Sequence, residues 1–145
     1  MPRRSIPSTE RVRPPRGRPP SPPERVRPHR VVTFVTDAEM ATQAGEILAE
    51  IDVDNAVVQE GAPEAGDAKH GPYDVIFVNG GVETLPPALL DQLKEGGRLV
   101  AIHMTGALGQ CQVTIRAGDK LTTRRVFDAT APVLSGFQAA KDFTF

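Results

Sequence analysis

Four residues that could bind a ligand follow short apolar stretches of this 145-residue chain: Asp37, Gly61, Asn79 and Gly80. An aspartate carboxylate accepts hydrogen bonds, an asparagine amide donates and accepts them, and glycine lets a ligand approach the backbone closely. In sheets of parallel strands, ligands bind beyond the carboxyl ends of the strands, which is where these residues would stand. Their types and positions therefore predict a ligand site at one edge of a sheet.

The two polar candidates also have structural alternatives. Asp37 stands directly before an amphipathic segment, where its carboxylate would cap a helix. Asn79 precedes Gly80 and Gly81, so it could form a turn. The sequence alone leaves the ligand role and the structural role open at both positions.

The other reactive side chains form no catalytic or metal-binding pattern. The chain has three widely separated histidines, His29, His70 and His103. They have no carboxylate or cysteine at ligand spacing, which predicts no metal site. His103, at the end of a predicted strand, could approach the ligand edge of the sheet or be structural. The single Cys111 excludes a disulfide scaffold, and we expect it to be a small buried side chain.

The segments that must position these residues alternate between strand and helix patterns. Short β-branched runs predict strands, and apolar residues at three- and four-residue spacing predict helices. The predicted elements are strand 31–35, helix 38–50, strand 55–59, loop 61–72, strand 73–78, a helix from about 86 to a Gly96-Gly97 stop, strand 98–103, and an antiparallel hairpin of 112–116 with 121–127. This order predicts an α/β fold with a parallel sheet covered by helices and an antiparallel edge.

The first 30 residues differ in composition from the rest. They hold nine of the chain's 14 prolines and nine arginines, against two glutamates and few apolar side chains. Because burial could not offset the entropy of ordering them, we expect residues 1–30 to form a disordered tail and residues 31–145 the folded part. The tail could bind nucleic-acid phosphates or a domain that recognises proline-rich sequence, or it could be only a linker. With no stretch long enough for a membrane helix and no secretion signal, we expect a cytoplasmic protein.

Three stretches resemble the protein-L-isoaspartate O-methyltransferase family. They are Tyr-Asp-Val-Ile-Phe-Val-Asn-Gly-Gly-Val at 73–82, Leu-Pro-Pro-Ala-Leu-Leu-Asp-Gln-Leu through Gly-Gly-Arg-Leu-Val at 85–100, and Phe-Asp-Ala-Thr-Ala-Pro-Val-Leu-Ser-Gly-Phe at 127–137. The resemblance covers about residues 31–145. It implies a Rossmann-like S-adenosylmethionine-dependent methyltransferase sheet and methyl transfer to isoaspartyl carboxylates in damaged proteins, which begins their repair. Such a transfer needs the donor methyl and the carboxylate oxygen held in line rather than acid–base help.

Three cofactor contacts differ from the family pattern. No Gly-x-Gly occurs between residues 18 and 60, where the family has a glycine-rich loop after its first strand. Val35 stands where the family usually has an acidic ribose contact, and Gly61-Ala62-Pro63 replaces a Gly-Asp-Gly. The resemblance also implies a strand between those at 31–35 and 73–78. We therefore expect an N-terminally truncated, incomplete sheet with impaired cofactor binding, in which the gap closes or leaves two unpaired strand edges.

Two other functions fit parts of the pattern. A noncatalytic interaction protein would use the Arg/Pro-rich arm and keep the α/β part as a scaffold. A dinucleotide-binding domain would place Asp37 on a ribose, but the Gly-x-Gly-x-x-Gly that such domains need is missing. Titration with S-adenosylmethionine would separate both from a methyltransferase.

Overall fold

The computed structural model describes residues 29–141, and within this range six strands form two sheets. The elements are β1 (Val31–Val35), α1 (Ala38–Glu50), β2 (Ala56–Glu60), β3 (Tyr73–Val82), α2 (Pro87–Leu90), β4 (Leu93–Thr105), β5 (Leu108–Ala117) and β6 (Lys120–Asp128). The first sheet pairs β1 with β2 in parallel. The second has the order β3-β4-β5-β6, parallel between β3 and β4 and antiparallel elsewhere. The α/β class with a parallel part and an antiparallel edge is confirmed.

The strand β1 and the helix α1 begin and end where the sequence predicts. Asp37 is the N-cap of α1, and its Oδ1 accepts hydrogen bonds from the backbone N–H groups of Glu39 and Met40. The helix packs on β1 and β2 through the half-buried side chains of Ala41, Ala44 and Leu48. No residue of α1 is fully buried. This helix therefore covers its sheet on one side only.

The strand β3 continues beyond its predicted end. We expected a strand over 73–78 and a turn at Asn79, but the chain stays extended to Val82. The register opposite β4 shifts between Phe77, which faces Val100, and Gly81, which faces Ile102. Three residues of β3 thus lie opposite one of β4, which is an extended bulge. The bulge turns the backbone without ending the strand, so the predicted turn at 79–81 is wrong.

The second predicted helix is much shorter than expected. It was predicted to run to the Gly96-Gly97 stop, yet α2 ends at Leu90, and Leu93 already pairs with Tyr73 in the second sheet. The carbonyl oxygen of Gln92 accepts a hydrogen bond from the backbone N–H of Tyr73, 2.7 Å away. Strand pairing here overrides the helical spacing of the leucines.

The chain from Leu93 to Asp128 is an antiparallel meander. The predicted hairpin is confirmed as β5 and β6, which turn at Gly118 with φ +60°. A second hairpin, which the sequence did not predict, joins β4 to β5 through Gly106 with φ +62°. Left-handed backbone of this kind suits glycine because other residues have a clashing Cβ.

The core lies entirely in the second sheet and the segments packed on it. Its buried residues are Val78, Val82, Leu89, Leu93, Leu99, Ala101 and Phe137. Among the described residues, no ladder joins β1 to β3, so the expected gap leaves two strand edges unpaired. Neither described helix has the length and apolar character needed to cross a bilayer. The tail predicted for residues 1–30 lies, apart from His29 and Arg30, outside the described residues, as does its predicted binding to nucleic acid.

Candidate functional site

The carboxyl end of the first sheet holds two of the four candidate residues. Gly61 directly follows β2, and its backbone N–H donates to the carbonyl oxygen of Val35, 3.1 Å away. Asp37 lies two residues beyond Val35, on the same edge. Because Oδ1 of Asp37 bonds two N–H groups of α1 at 2.8 and 3.3 Å, its helix-capping role is present in the structure. A ligand would have to share this carboxylate with the cap.

The other two candidates lie in the bulge of β3. The side chain of Asn79 is exposed, and Gly80 is half-buried. A Cβ added at Gly80 would stand 2.6 Å from Cγ of Leu134. The Leu134 side chain therefore occupies the space that the absence of a Cβ at Gly80 leaves. Asn79 is the candidate with the most freedom to meet a ligand.

A segment near the end of the described chain closes the same edge of the second sheet. The backbone N–H of Gly81 donates to the carbonyl of Pro132 at 2.8 Å, and that of Leu134 donates to the carbonyl of Gly81 at 2.9 Å. The carbonyl of Phe137 accepts from both Glu83 and Thr84. We call residues 129–139 the closing segment. It runs parallel to β3 at Gly81 and buries Phe137 in the core.

An open groove of about 630 Å³ lies beside the closing segment, at the ends of β4, β5 and β6. His103 lines it, so this histidine does reach the carboxyl end of its strand. Gln110 and Gln112 of β5 also line it, as does the ion pair between Arg125 and Asp128. The groove was not predicted, although alternate residues of the β5–β6 hairpin share a face and could have indicated it.

A second polar cluster lies at the opposite, amino end of β3. His70 Nδ1 contacts Oδ2 of Asp67, and the Tyr73 hydroxyl donates to the Asp67 carbonyl at 2.9 Å. The hydrogen bond with His70 lowers the pKa of the Asp67 carboxyl below its usual 3.8, and burial together with the Asp67 charge raises the pKa of Tyr73 above 10.0. The expectation that His70 has no carboxylate neighbour is wrong, since the Asp67-x-x-His70 spacing closes a turn.

The candidate residues thus fall into two pairs, one at each sheet. Asp37 and Gly61 belong to the first sheet, whereas Asn79 and Gly80 belong to the second. Within residues 29–141, no three His, Cys, Asp or Glu side chains gather closely enough to hold a metal ion. Cys111 is free and buried on β5, as expected. Among the described residues, the candidates offer hydrogen-bonding groups near the carboxyl ends of strands.

Comparison with known proteins places this chain in a family. The family profile described as protein-L-isoaspartate(D-aspartate) O-methyltransferase matches residues 25–130. A protein-L-isoaspartate O-methyltransferase of Halorhodospira halophila is 33% identical over 108 residues, covering 74% of this chain and 49% of the relative. That of Aeromonas salmonicida is 37% identical over 82 residues, 57% of this chain and 40% of the relative. The chain spans about half, or less, of the length of these relatives.

Solved structures share the fold. One protein-L-isoaspartate O-methyltransferase superposes with a TM-score of 0.68 and 23% identity over 74% of this chain and 34% of the solved one. Another, from Plasmodium falciparum in complex with S-adenosyl-L-homocysteine, has a TM-score of 0.62 and 18% identity over 72% of this chain and 52% of its own. The profile match covers most of the chain and includes both sheets. The chain therefore belongs to the protein-L-isoaspartate(D-aspartate) O-methyltransferase family.

Proposed function

We propose that this chain forms the carboxyl-terminal part of a protein-L-isoaspartate O-methyltransferase, which moves a methyl group from S-adenosylmethionine to isoaspartyl carboxylates of damaged proteins. The observation that carries the proposal is the family match over residues 25–130. Gly61 directly follows β2, and the exposed Asn79 lies near the end of β3, which supports it. The cytoplasmic location stays a prediction from the sequence.

The described residues fit only part of such a cofactor. Asp37 already caps α1, and the space at Gly80 is filled by Leu134. The two candidate pairs lie in separate sheets, and no glycine-rich loop stands between residues 29 and 60 to bring backbone N–H groups between them. The groups that these residues leave for a ligand are the exposed side-chain amide of Asn79 and the backbone at the end of β2 beside Gly61.

Calorimetric titration of the full chain with S-adenosylmethionine and S-adenosyl-L-homocysteine tests the proposal. We expect both to bind, and Asn79→Ala to weaken binding about tenfold, which is the loss of one or two polar contacts. Gln43→Ala, on the exposed face of α1, is the matched control and should leave affinity unchanged. A methyl-labelled donor with an isoaspartyl peptide then measures transfer. The absence of both binding and transfer at millimolar ligand contradicts the proposal.

A further inference from the structure

The strand β6 forms one outer edge of the second sheet. It pairs with β5 on one side, and among the described residues no strand pairs with its other side. All nine of its residues, Lys120 to Asp128, are exposed. An outer strand keeps a row of unpaired backbone N–H and C=O groups, and such a row binds an extended polypeptide by adding it to the sheet as a further strand.

The pairing with β5 determines which backbone groups of β6 point outward. The turn that joins the two strands has two residues, so the pair that flanks it, Ala117 and Lys120, exchanges its backbone hydrogen bonds. Bonded and non-bonded pairs alternate along an antiparallel ladder, so the backbone groups that turn away from β5 belong to Leu121, Thr123 and Arg125. The Thr123 hydroxyl lies 2.8 Å from that of its cross-strand partner, which fits the closer side chains of a non-bonded pair. We call the outward-facing backbone of residues 121–125 the β6 edge.

The groove described above lies on one face of the sheet, beside the β6 edge. His103, Gln110 and Asp128 form a row across β4, β5 and β6, and Gln112 pairs with Arg125 next to this row. All five residues line the groove. Glutamine amides both donate and accept hydrogen bonds, as do the backbone and the polar side chains of a polypeptide. A strand added along the β6 edge would extend these rows of side chains by one position.

The β6 edge is basic, although most of the folded part is acidic. Residues 31–96 contain 13 Asp or Glu against two Lys or Arg, whereas residues 97–128 contain five Lys or Arg against two Asp. On β6, Lys120 and Arg124 are exposed and have no acidic partner within residues 29–141. Arg125 bonds Asp128 of the same strand. Charge complementarity therefore favours an acidic polypeptide at this edge.

We propose that the β6 edge and the groove beside it bind an acidic stretch of polypeptide as an added strand. The inference rests on the proposed function and deepens it, because the stretch belongs to the damaged protein that carries the isoaspartyl residue. The backbone of residues 121–125 holds the stretch, Lys120 and Arg124 attract its acidic side chains, and the groove accepts the side chains on its face. A second copy of β6 is a poorer occupant, since it would bring like charges together across the strand pair.

The groove and Asn79 lie toward the same end of the second sheet. Because β3 and β4 are parallel, His103 near the end of β4 lies toward the same edge as Asn79 near the end of β3. The closing segment begins beside β5, where the backbone N–H of Ala129 donates to the carbonyl of Gly109, and reaches β3 at Gly81. The bound stretch thus lies on the other side of the closing segment from Asn79. It holds the substrate without contacting the group that reacts.

Binding of synthetic peptides to the full chain tests the proposal. The probe is a fluorescent peptide of alternating glutamate and valine that ends in an isoaspartyl-glycine pair. One control has lysine in place of glutamate, and the other has methylated backbone nitrogens, which cannot donate to a strand edge. We expect the probe to bind at least tenfold more tightly than either control in fluorescence anisotropy. Equal binding of either control overturns the proposal.

Amide hydrogen exchange locates the bound probe. Exchange should slow at least tenfold at Leu121, Thr123 and Arg125, whereas Thr122 and Arg124 already donate to β5 and should change less. Binding without this protection would assign the probe to the arginines of residues 1–28 and overturn the proposal. A single-stranded oligonucleotide that protects the same amides more strongly than the probe would assign the edge to nucleic acid, which also overturns it.

A change of charge on β6 provides a second test. Arg124→Glu should weaken binding of the probe at least tenfold, because it replaces an attracting charge with a repelling one. Arg98→Glu is the matched control, since it makes the same change at an exposed residue of β4, away from the β6 edge, and should weaken binding less than twofold. Equal weakening by the two variants contradicts the assignment.

The outcomes for the β6 edge and for the proposed function are separable. In methyl transfer to the probe, Arg124→Glu should raise KM at least tenfold and leave kcat unchanged, because the edge only holds the substrate. A probe that protects β6 but accepts no methyl group keeps the edge as a peptide site and refutes the methyltransferase role. Transfer with an unchanged KM in Arg124→Glu keeps the role and refutes the edge as a substrate site.

Discussion

The side-chain amide of Gln92 donates a 2.9 Å hydrogen bond to the carbonyl oxygen of Ala65, which fixes the loop after β2 against the start of β4. The same amide donates to the Ala88 carbonyl at 3.0 Å, and Oε1 accepts from the backbone N–H of Asp67 at 3.0 Å. Gln92 is only 8% exposed, so these bonds replace water. The buried Gln92 side chain thus holds the loop that links the first sheet to the second against the residues just before β4.

Gln92→Leu should destabilise the protein by about 2–3 kcal/mol, since it leaves the loop's buried polar groups without partners. The free energy of unfolding in urea measures the loss. Gln43→Leu changes the same residue type on the exposed face of α1 and should stay within about 0.5 kcal/mol of wild type. Similar values for the two variants would show that the Gln92 bonds carry no net stability.

Asp37→Ala should cost about 1 kcal/mol, because the first turn of α1 loses the acceptor for two N–H groups. Asp37→Ser keeps a capping oxygen and should recover most of this loss in the same denaturation experiment. Titration of Asp37→Ser with S-adenosyl-L-homocysteine then isolates any ligand role. A serine variant as unstable as the alanine variant would contradict the capping role.

The contact of Asp67 with His70 should make stability depend on pH in acid. The folded pKa of Asp67 is lowered below its usual 3.8, so the ionised carboxylate stabilises the native state fully above that value. This stability is lost as the pH falls through the lowered pKa. The difference in unfolding free energy between wild type and Asp67→Asn should therefore shrink below about pH 4. A pH-independent difference would refute the coupling, and Asp119→Asn in the exposed β5–β6 turn is the control.

Gly80→Ala should destabilise the protein by about 1–2 kcal/mol, because the new methyl group would overlap the Leu134 side chain. Leu134→Ala in the same chain should relieve part of this cost, which a double-mutant cycle on thermal unfolding measures. Gly45→Ala is the opposite control: it lies within α1 with no atom within 4 Å of the new Cβ, so we expect it to stabilise by about 0.5–1 kcal/mol. Additive effects at Gly80 and Leu134 would refute the overlap.

Elements defined by local chemistry could be predicted from the sequence. The cap at Asp37 and the apolar spacing that follows it set both ends of α1, and the β-branched run at 31–35 is β1. The glycine turn at 118 set the last hairpin. In these cases the residues that decide the structure are close neighbours in the chain.

Features decided by distant pairing could not be predicted. The helix α2 stops early because the Gln92 carbonyl bonds Tyr73, nearly twenty residues earlier in the chain. The turn predicted at Asn79 is a bulge because Gly81 pairs with the closing segment about fifty residues later. For the site, the sequence predicted residues near the carboxyl ends of strands, but only the structure revealed that Leu134 occupies the space beside Gly80.

The closing segment is a fixed part of the folded core and not a movable loop. Its backbone bonds to Gly81, Glu83 and Thr84 are tied to Phe137, which is 1% exposed in the core. To swing this segment away from the end of β3 would hydrate that core at the same time. The surface at the end of β3 therefore keeps a fixed shape on the side that this segment covers.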